Sequence, residues 1–399
     1  MTQKKTSNQT TTVPGFKFSA VSAGIKKTGV KDLALIFSEN ITTTAGVFTT
    51  NRIKAAPVKL DIKRIVSQKG QAIIINSGNA NACTGAQGLK DAKEISGITA
   101  KELSIIPELV YVSSTGVIGR PLPIQKIKKA IPELVEKLSP YSLTEVSTAI
   151  MTTDTFPKMA FKKINIAGKI GAIAGIAKGA GMICPNLATM LSFIVTDIAV
   201  EKKALDSALR NAVKNSFNRL IIDNDMSTND TVLIMANGML KNKPITKSSS
   251  LYPKFKNALT EITYNLAKMI AKDGEGATKL IEIIAKGAKT EGDAEKIAKS
   301  IANSMLVKTA IYGNDPNWGR IMAAIGYSGV EINEEKINIY IDKFKLVNKG
   351  MGIKKIPNNI FSKKEIVVSI ELGLGKKEAK ILTCDLTEGY IKINASYIT

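Results

Sequence analysis

The sequence predicts a layered α/β fold with two domains or lobes. The chain has 399 residues, whereas a single hydrophobic core stops growing at roughly 250–300 residues. Both halves of the chain contain short β-branched runs, which predict strands, and stretches with apolar residues three or four positions apart, which predict amphipathic helices. Hydrophobic residues make up 44% and charged residues 23% of the sequence, as in soluble globular proteins.

The strands are predicted from short apolar runs that Gly, Asn, Pro or Ser residues bound. The polar residues 1–14 come first and predict a disordered tail. Strands are then predicted at residues 33–37, 46–49, 72–75 and 109–113, as a pair within 162–177, and at 191–199. The chain returns to short strands from Val330 onward, and we find no repeat of fixed period.

The helices are predicted from apolar residues at helical spacing. Helices are expected at residues 91–101, 123–138, 203–220, 252–272 and 290–310. The segment 252–272 has the most regular apolar stripe, which runs from Phe255 through Ile262 to Ile270. Asp293 suits the first turn of the last helix, because a negative charge is favourable at a helix N-terminus.

The residue types that are missing exclude several kinds of catalysis. The sequence contains no histidine, so it excludes Ser-His-Asp and Cys-His catalysis, His-ligated zinc and any imidazole base. Its three cysteines, Cys83, Cys184 and Cys384, are far apart and form no CxxC pair. This argues against a disulfide scaffold and fits a reducing compartment. A base must therefore be a carboxylate, a lysine, a tyrosine or an α-amine.

The net charge of +22 raises nucleic acid as a partner. Only six of the 56 basic residues are arginines, however, and the lysines are spread along the chain. Arginine is the residue of bidentate base and phosphate recognition, so we interpret the lysines as solvated surface charge. The N-terminus lacks an apolar signal segment and no apolar stretch is long enough to span a bilayer. We expect a cytoplasmic protein without a membrane or nucleic-acid partner.

The loop at residues 178–190 carries the most distinctive chemistry. Two glycines, a proline and an asparagine precede Ala188 and Thr189, and a predicted buried strand follows. A threonine at this position can attack its own preceding carbonyl, form an ester and be released as an N-terminal residue. Its α-amine, with a reference pKa of about 7.7–8.0, then supplies a base near neutral pH. From the local pattern alone, a plain core strand that begins at Thr189 remains the alternative.

Ten short segments occur in the order typical of one enzyme family. They are GIKKTGVKDLALI (24–36), AGVFTTNRIKAAPV (45–58), NSGNANACTG (76–85), SSTGVIG (113–119), AIMTTDTFPK (149–158), KGAGMICPNLATM (178–190), DMSTNDTVL (225–233), KDGEGATK (272–279), KTAIYGNDPNWGRI (308–321) and TEGYIKINASYIT (387–399). Through them, and over nearly the whole chain from residue 15, the sequence resembles the ornithine acetyltransferase family (arginine biosynthesis bifunctional proteins, glutamate N-acetyltransferases).

The resemblance implies a reaction and an assembly. It implies transfer of an acetyl group from N2-acetylornithine to glutamate through an acetyl-enzyme, with acetyl-CoA as a possible second donor and no metal or organic cofactor. It implies self-cleavage into an α chain (residues 15–188) and a β chain (189–399), which would associate as α2β2. The implied fold is an α/β/β/α sandwich, completed by residues 189–285, with a smaller α/β lobe at 286–399.

The resemblance also implies the site residues. Thr189 would be the nucleophile, and Thr115 and Gly116 would form the oxyanion hole. The implied substrate-binding residues are Thr152, Lys178, Thr189, Glu275, Asn394 and Thr399. Thr153 is an alternative to Thr152. As single residues, each also fits a turn, a surface charge or a frayed tail.

Two positions depart from the family pattern. The usual penultimate arginine is Ile398 here, which affects how Thr399 would be anchored. Cys184 stands at a position where the family commonly has a histidine, and we expect it to have a packing role.

Two other classes of protein remain as alternatives. One is an N-terminal-nucleophile amidohydrolase or aminopeptidase, which gives the acyl group to water. The other is a basic nucleic-acid-binding protein.

Overall fold

The computed structural model describes residues 12–27, 29–184, 190–356 and 360–396. Its strands are β1 Phe16–Val21, β2 Leu33–Phe48, β3 Lys69–Asn79, β4 Val110–Val117, β5 Lys158–Ile166, β6 Lys169–Lys178, β7 Leu191–Thr196, β8 Thr231–Ala236, β9 Leu280–Ala288, β10 Asn338–Ile341, β11 Phe344–Asn348, β12 Met351–Gly352, β13 Glu365–Glu371 and β14 Lys377–Cys384. Its helices are α1 Ala56–Arg64, α2 Gly85–Glu102, α3 Ile124–Glu136, α4 Leu143–Ala149, α5 Lys202–Lys214, α6 Tyr252–Lys272, α7 Glu291–Asn303, α8 Met305–Tyr312, α9 Trp318–Gly326 and α10 Glu388–Ser396.

The long strand β2 joins the two halves of an eight-stranded sheet. The strand order is β4-β3-β2-β8-β7-β6-β5, and β1 pairs with the first part of β2. Residues 33–38 of β2 pair with β1, whereas residues 43–48 pair with β8. The register between β2 and β3 shifts between Phe37 and Thr42. The two strands predicted at 33–37 and 46–49 are therefore one strand with an irregularity in its middle.

The alternation of side chains along the strands builds four layers. Ile36 of β2 and Phe193 of β7 belong to one buried cluster between the two halves of the sheet. Leu35 of β2 belongs to the cluster that includes α2 and α3, and Ile194 of β7 to the one that includes α5 and α6. Neighbouring residues of a strand point to opposite faces of the sheet. The predicted α/β/β/α sandwich is thus confirmed.

A smaller α/β unit follows the sandwich. Its six strands have the order β12-β11-β10-β13-β9-β14, and β9 pairs in parallel with β13 and antiparallel with β14. Helices α7, α8 and α9 bury their apolar faces on this sheet in one cluster. We predicted that this unit begins at residue 286, but all of β9 already pairs within the smaller sheet. The change of sheet therefore lies before Leu280.

Each predicted helix overlaps a helix of the structure, but the helix predicted at 203–220 ends at Lys214 and the one predicted at 91–101 begins at Gly85. Helices α1, α4, α9 and α10 were not predicted. Helix α6 spans 252–272 as predicted, and Thr290 caps α7 by accepting the backbone N–H of Asp293. The helix predicted at 290–310 is wrong, because it breaks at Ser304, whose extended backbone ends α7 and whose hydroxyl caps α8.

The disordered tail predicted at residues 1–14 is wrong for its last residues. Val13 is only 1% exposed and packs in the cluster between the two sheet halves, because burial of its apolar side chain is favourable. Residues 1–11 lie outside the described part. In the ranges that the structure describes, we find no helix with the length and apolar character needed to cross a membrane.

Candidate active site

A pocket gathers the predicted site residues of the described chain. It lies where the ends of β4 and β6 meet the loop after α6 and the C-terminal helix α10. Its wall contains Ala80, Thr115, Gly116, Ile118, Thr152, Thr153, Lys178, Gly181, Met182, Ser227, Asn229, Glu275 and Asn394. Both threonines weighed for substrate contact thus line the pocket. The predicted cleavage residues Ala188 and Thr189 and the predicted contact Thr399 lie outside the described residues, as does Ile398.

Thr115 and Gly116 stand at the end of β4, beside the end of β3. The two strands are parallel, and Gly116 pairs with Gly78. Gly116 has a φ of +132°, and a Cβ at this position would lie 2.3 Å from the backbone carbon of Gly78. Only glycine allows this close approach with this backbone conformation. The end of β4 is therefore built so that its backbone and the Thr115 hydroxyl reach the pocket.

Lys178 is the last residue of β6 and brings a buried cation to the same place. Its side chain is buried, and Nζ donates a 3.1 Å hydrogen bond to Oγ1 of Thr115. Burial lowers the pKa of the Lys178 ammonium, and the nearby Asp154 carboxylate opposes part of this effect. Because Thr115 Oγ1 accepts from the lysine, its own proton is free to point at a ligand.

Asp154 fixes the turn that carries Thr152 and Thr153. One of its oxygens accepts the backbone N–H of Thr152 at 2.9 Å, and the other accepts that of Gly179 at 2.7 Å. Burial alone would raise the pKa of the Asp154 carboxyl. The charges of Lys178 and Lys158 and the hydrogen bonds from Gly179 and Lys158 together outweigh burial and lower that pKa to about 2. The residue therefore remains a carboxylate that ties the threonine turn to the end of β6.

A buried ion network extends from this turn to the end of α6. The network consists of Asp154, Lys158 and Asp273. Nζ of Lys158 lies 2.7 Å from Asp154 Oδ1 and 2.6 Å from Asp273 Oδ2, and its side chain is 0% exposed. Asp273 also accepts hydrogen bonds from the backbone and the hydroxyl of Thr155. The network thus joins the segment that holds Lys178 to the loop that begins at Gly274.

Glu275 lies on that loop and lines the pocket. Its backbone N–H donates to the carbonyl of Ala180 at 2.9 Å. Its carboxylate lies so close to Gly181 that a Cβ there would be 2.3 Å from the Glu275 carboxyl carbon. Nδ2 of Asn394, on α10, donates to Glu275 Oε2 at 2.8 Å. The C-terminal helix therefore contributes directly to the pocket, as expected.

Two polar residues of the segment 225–233 support the site and were missed in the sequence analysis, although this segment is one of the ten motifs. Nδ2 of Asn229 donates to the carbonyls of Ala80 and Ser114, each at 2.7 Å. Oδ1 of Asp230 accepts the backbone N–H of Met190 at 2.9 Å. Burial raises the pKa of the Asp230 carboxyl well above its usual value, against the N–H of Met190 and the charge of Lys178. These residues fix the end of β4 and the start of β7.

Cys184, which we expected to pack rather than to react, contacts the core and one polar side chain. Cys184 is partly buried, packs against the core of the α5 and α6 side and donates to Oδ1 of Asn224 at 3.0 Å. Burial raises the pKa of its thiol. Among the described residues, no cluster of three or more Cys, Asp and Glu side chains could hold a metal ion.

The arrangement suits a carbonyl group attached to a charged amino acid. Hydrogen-bond donors at Thr115 and Gly116 can stabilise an oxyanion, Lys178 can pair with a carboxylate, and Glu275 can pair with an ammonium group. The fold and the pocket therefore fit the class of enzymes that act on the acyl group of an amino-acid derivative.

Comparison with known proteins identifies the family. The model of the ArgJ family matches residues 17–399. The arginine biosynthesis bifunctional protein ArgJ of Geobacter sulfurreducens is 48% identical over 392 residues, which are 97% of this chain and 100% of that protein. The protein of the same name from Caldanaerobacter subterraneus is 49% identical and covers 96% of this chain. The chain therefore belongs to the ArgJ family, and the resemblance and the expectation of an enzyme are confirmed.

A solved structure supports the same assignment. The crystal structure of the arginine biosynthesis bifunctional protein ArgJ from Bacillus halodurans is 42% identical, with a TM-score of 0.51. The match covers 52% of this chain and 100% of the crystallised chain. The crystallised chain thus corresponds to about half of the present one.

Proposed function

We propose that the protein transfers an acetyl group from N2-acetylornithine to glutamate in arginine biosynthesis, through an acetyl ester on Thr189. The observation that carries the proposal is that Thr115, Gly116, Lys178 and Glu275 converge on one pocket. The pair Thr115 and Gly116, Lys178 and Glu275 come from distant parts of the sequence, and each has the chemistry that one part of acetylornithine requires. Membership in the ArgJ family supports the same reaction.

The proposed maturation step is cleavage between Ala188 and Thr189. The Thr189 hydroxyl attacks the Ala188 carbonyl carbon, and the C–N bond breaks to give an ester and a free Thr189 α-amine. Water then hydrolyses the ester to give the Ala188 carboxylate and to restore the Thr189 hydroxyl. Cleavage yields chains of 188 and 211 residues. The Bacillus halodurans chain, matched completely by 52% of this chain, has a length consistent with such a product.

The transfer itself takes two displacements. The Thr189 oxygen attacks the acetyl carbonyl carbon while the α-amine takes the hydroxyl proton, and the resulting oxyanion accepts hydrogen bonds at Thr115 and Gly116. The amine of ornithine leaves with that proton. The amine of glutamate then attacks the acetyl-Thr189 ester, and its proton passes by way of the α-amine to the Thr189 oxygen as the ester C–O bond breaks. N-acetylglutamate is released and the Thr189 hydroxyl is restored. No metal or organic cofactor is needed in this proposal.

Charge recognition selects the amino acids. The buried ammonium of Lys178 pairs with the α-carboxylate that acetylornithine and glutamate share, while Glu275 pairs with the side-chain ammonium of ornithine. Both groups are held in place, Lys178 by its hydrogen bond to Thr115 and Glu275 by its hydrogen bond from Asn394.

We further propose that acetyl-CoA can replace acetylornithine as donor, which agrees with the word "bifunctional" in the names of the relatives. We propose an α2β2 assembly for the mature enzyme.

The test is an isotope-exchange assay with the purified protein. Labelled ornithine is mixed with unlabelled N2-acetylornithine, without glutamate. An acetyl-enzyme returns its acetyl group to the labelled ornithine, so label should appear in acetylornithine, and initial rates with glutamate should follow ping-pong kinetics. Acetyl-CoA plus glutamate is assayed in parallel.

The same assay separates the alternative functions. An amidohydrolase would release free acetate without label exchange, and this result would overturn the acyltransferase proposal. A nucleic-acid-binding protein would show neither activity, and it would retain nucleic acid in a salt-dependent manner.

A further inference from the structure

The lining of the active-site pocket includes both polar and apolar side chains. Lys178, Glu275 and Asn394 contribute charged and amide groups to it. Ala80 and Ile118 lie on the wall beside Thr115 and Gly116, and neither side chain has a polar atom. We call Ala80 and Ile118 the acyl wall. The proposed function has assigned roles to the polar side chains and none to the acyl wall.

The acyl wall is the edge of a small apolar cluster. Ala80 is 2% exposed and clusters with Ala55, Val58 and Ala82, and Ile118 packs against the same cluster. This cluster is separate from the larger cores of the sandwich. The side chains behind the wall therefore limit how far the wall can yield to a larger ligand, because close-packed interiors deform little.

The acyl wall is also rigidly connected to the oxyanion donors. The backbone N–H of Ala80 donates to the carbonyl of Val117 at 2.9 Å. Asn229 bridges the carbonyls of Ala80 and Ser114, and Ile118 follows Gly116 by two residues. The position of the wall relative to Thr115 and Gly116 is therefore fixed by backbone hydrogen bonds.

The chemistry of an amide places the acyl chain against this wall. The carbonyl carbon bears the oxygen, the acyl chain and the amine, so when the oxygen is held by Thr115 and Gly116 the other two groups point in different directions. The amine belongs to an amino acid whose charges need Lys178 and Glu275. The acyl chain is left to the acyl wall, which adjoins Gly116 and offers no polar side-chain atom. We infer that Ala80 and Ile118 determine which acyl group the enzyme transfers and restrict it to acetyl. This inference rests on the proposed function.

The experiment measures acyl selectivity in two variants that change the wall in opposite directions. Ile118→Ala enlarges the space and should raise the ratio of kcat/KM for N2-propionylornithine over N2-acetylornithine by roughly 10–200-fold, the range known for one methylene in an apolar pocket. Ala80→Val fills the space and should lower kcat/KM for acetyl transfer by a similar factor. Ile118→Val is the milder variant if Ile118→Ala fails to fold.

Val58→Ala is the matched control. Val58 belongs to the same cluster but does not line the pocket, so this variant should lose stability without a change in the propionyl-to-acetyl ratio. The inference is overturned if the Ile118 variants leave the ratio unchanged, or if Val58→Ala shifts it as much. Wild-type protein that transfers no acetyl group at all would instead contradict the proposed function, so the two failures are distinguishable.

Discussion

The Nζ atom of Lys178 lies 3.1 Å from the Oγ1 atom of Thr115, and this hydrogen bond joins two pocket residues 63 positions apart in the sequence. The lysine can only donate, so the threonine oxygen is the acceptor. The hydroxyl proton of Thr115 then points elsewhere, and the pocket is the open direction. This one hydrogen bond therefore orients the Thr115 hydroxyl as an oxyanion donor and fixes the position of the Lys178 ammonium.

Thr115→Val tests the hydroxyl as an oxyanion donor. Valine has nearly the same shape and lacks the proton, so kcat for acetyl transfer should fall on the order of 10²–10³-fold. Thr115→Ser, which keeps the hydroxyl, should retain most of the activity. Thermal unfolding of both variants checks that the fold is intact. Full activity of the valine variant would show that Thr115 does not stabilise the oxyanion.

The pH dependence of KM tests the role of Lys178. Burial lowers the pKa of its ammonium from the ordinary value of 10.5, and the group is charged only below its pKa. KM for N2-acetylornithine should therefore rise with pH before the range in which an exposed lysine loses its proton. Lys178→Met should have a high KM that does not vary in this range. A wild-type KM that is constant up to pH 10.5 would contradict carboxylate binding by Lys178.

Lys158→Met tests the buried ion network. The substitution leaves the carboxylates of Asp154 and Asp273 close together and without their cation. Loss of one partner from a buried ion pair costs about 3–5 kcal/mol of unfolding free energy, which urea unfolding measures. The control is Lys17→Met, which breaks the exposed 2.9 Å pair with Glu39 and should change stability by about 0–1 kcal/mol. Equal effects of the two substitutions would refute a structural role for the network.

Asn229→Asp tests whether Asn229 positions the oxyanion donors. The new carboxylate cannot donate to the carbonyls of Ala80 and Ser114, so β4 should shift, and kcat should fall while KM changes little. The matched control is Asn242→Asp. Nδ2 of Asn242 bridges the carbonyls of Ala199 and Lys243, and Asn242 does not line the pocket. This control should lower stability and leave kcat unchanged. A similar decrease in kcat for both variants would assign Asn229 a merely structural role.

The layered α/β class and several helices could be predicted because they follow from local periodicity, whereas the α/β/β/α order was implied by the family resemblance. The stripe from Phe255 to Ile270 predicts α6 at its observed bounds, since an amphipathic helix repeats its apolar face along the chain. The break at Ser304 was missed because the apolar spacing continues across it, while the cap that causes it is a single side-chain hydrogen bond. Local patterns also could not show that β2 is one strand shared by two halves of a sheet.

Only part of the site could be predicted from the sequence. Motif resemblance identified Thr115, Gly116, Lys178, Glu275 and Asn394, and the fold brings them to one pocket. The resemblance did not show which other residues hold these side chains in place. Lys158 and Asp273 are 115 positions apart, and Asn229 lies 149 positions from Ala80. A buried ion pair or amide bridge between such distant residues has no local periodicity, so its members look like ordinary polar residues until the chain is folded.

Intact-mass analysis of the purified protein beside Thr189→Ala tests the central claim most directly. The wild-type protein should give two chains of 188 and 211 residues, with Thr189 at the N-terminus of the second, because its hydroxyl is the attacking group in cleavage. The alanine variant should remain a single chain with an unchanged fold. A folded wild-type protein that stays whole on prolonged incubation would leave no free α-amine at Thr189, and it would contradict the mechanism proposed for acetyl transfer.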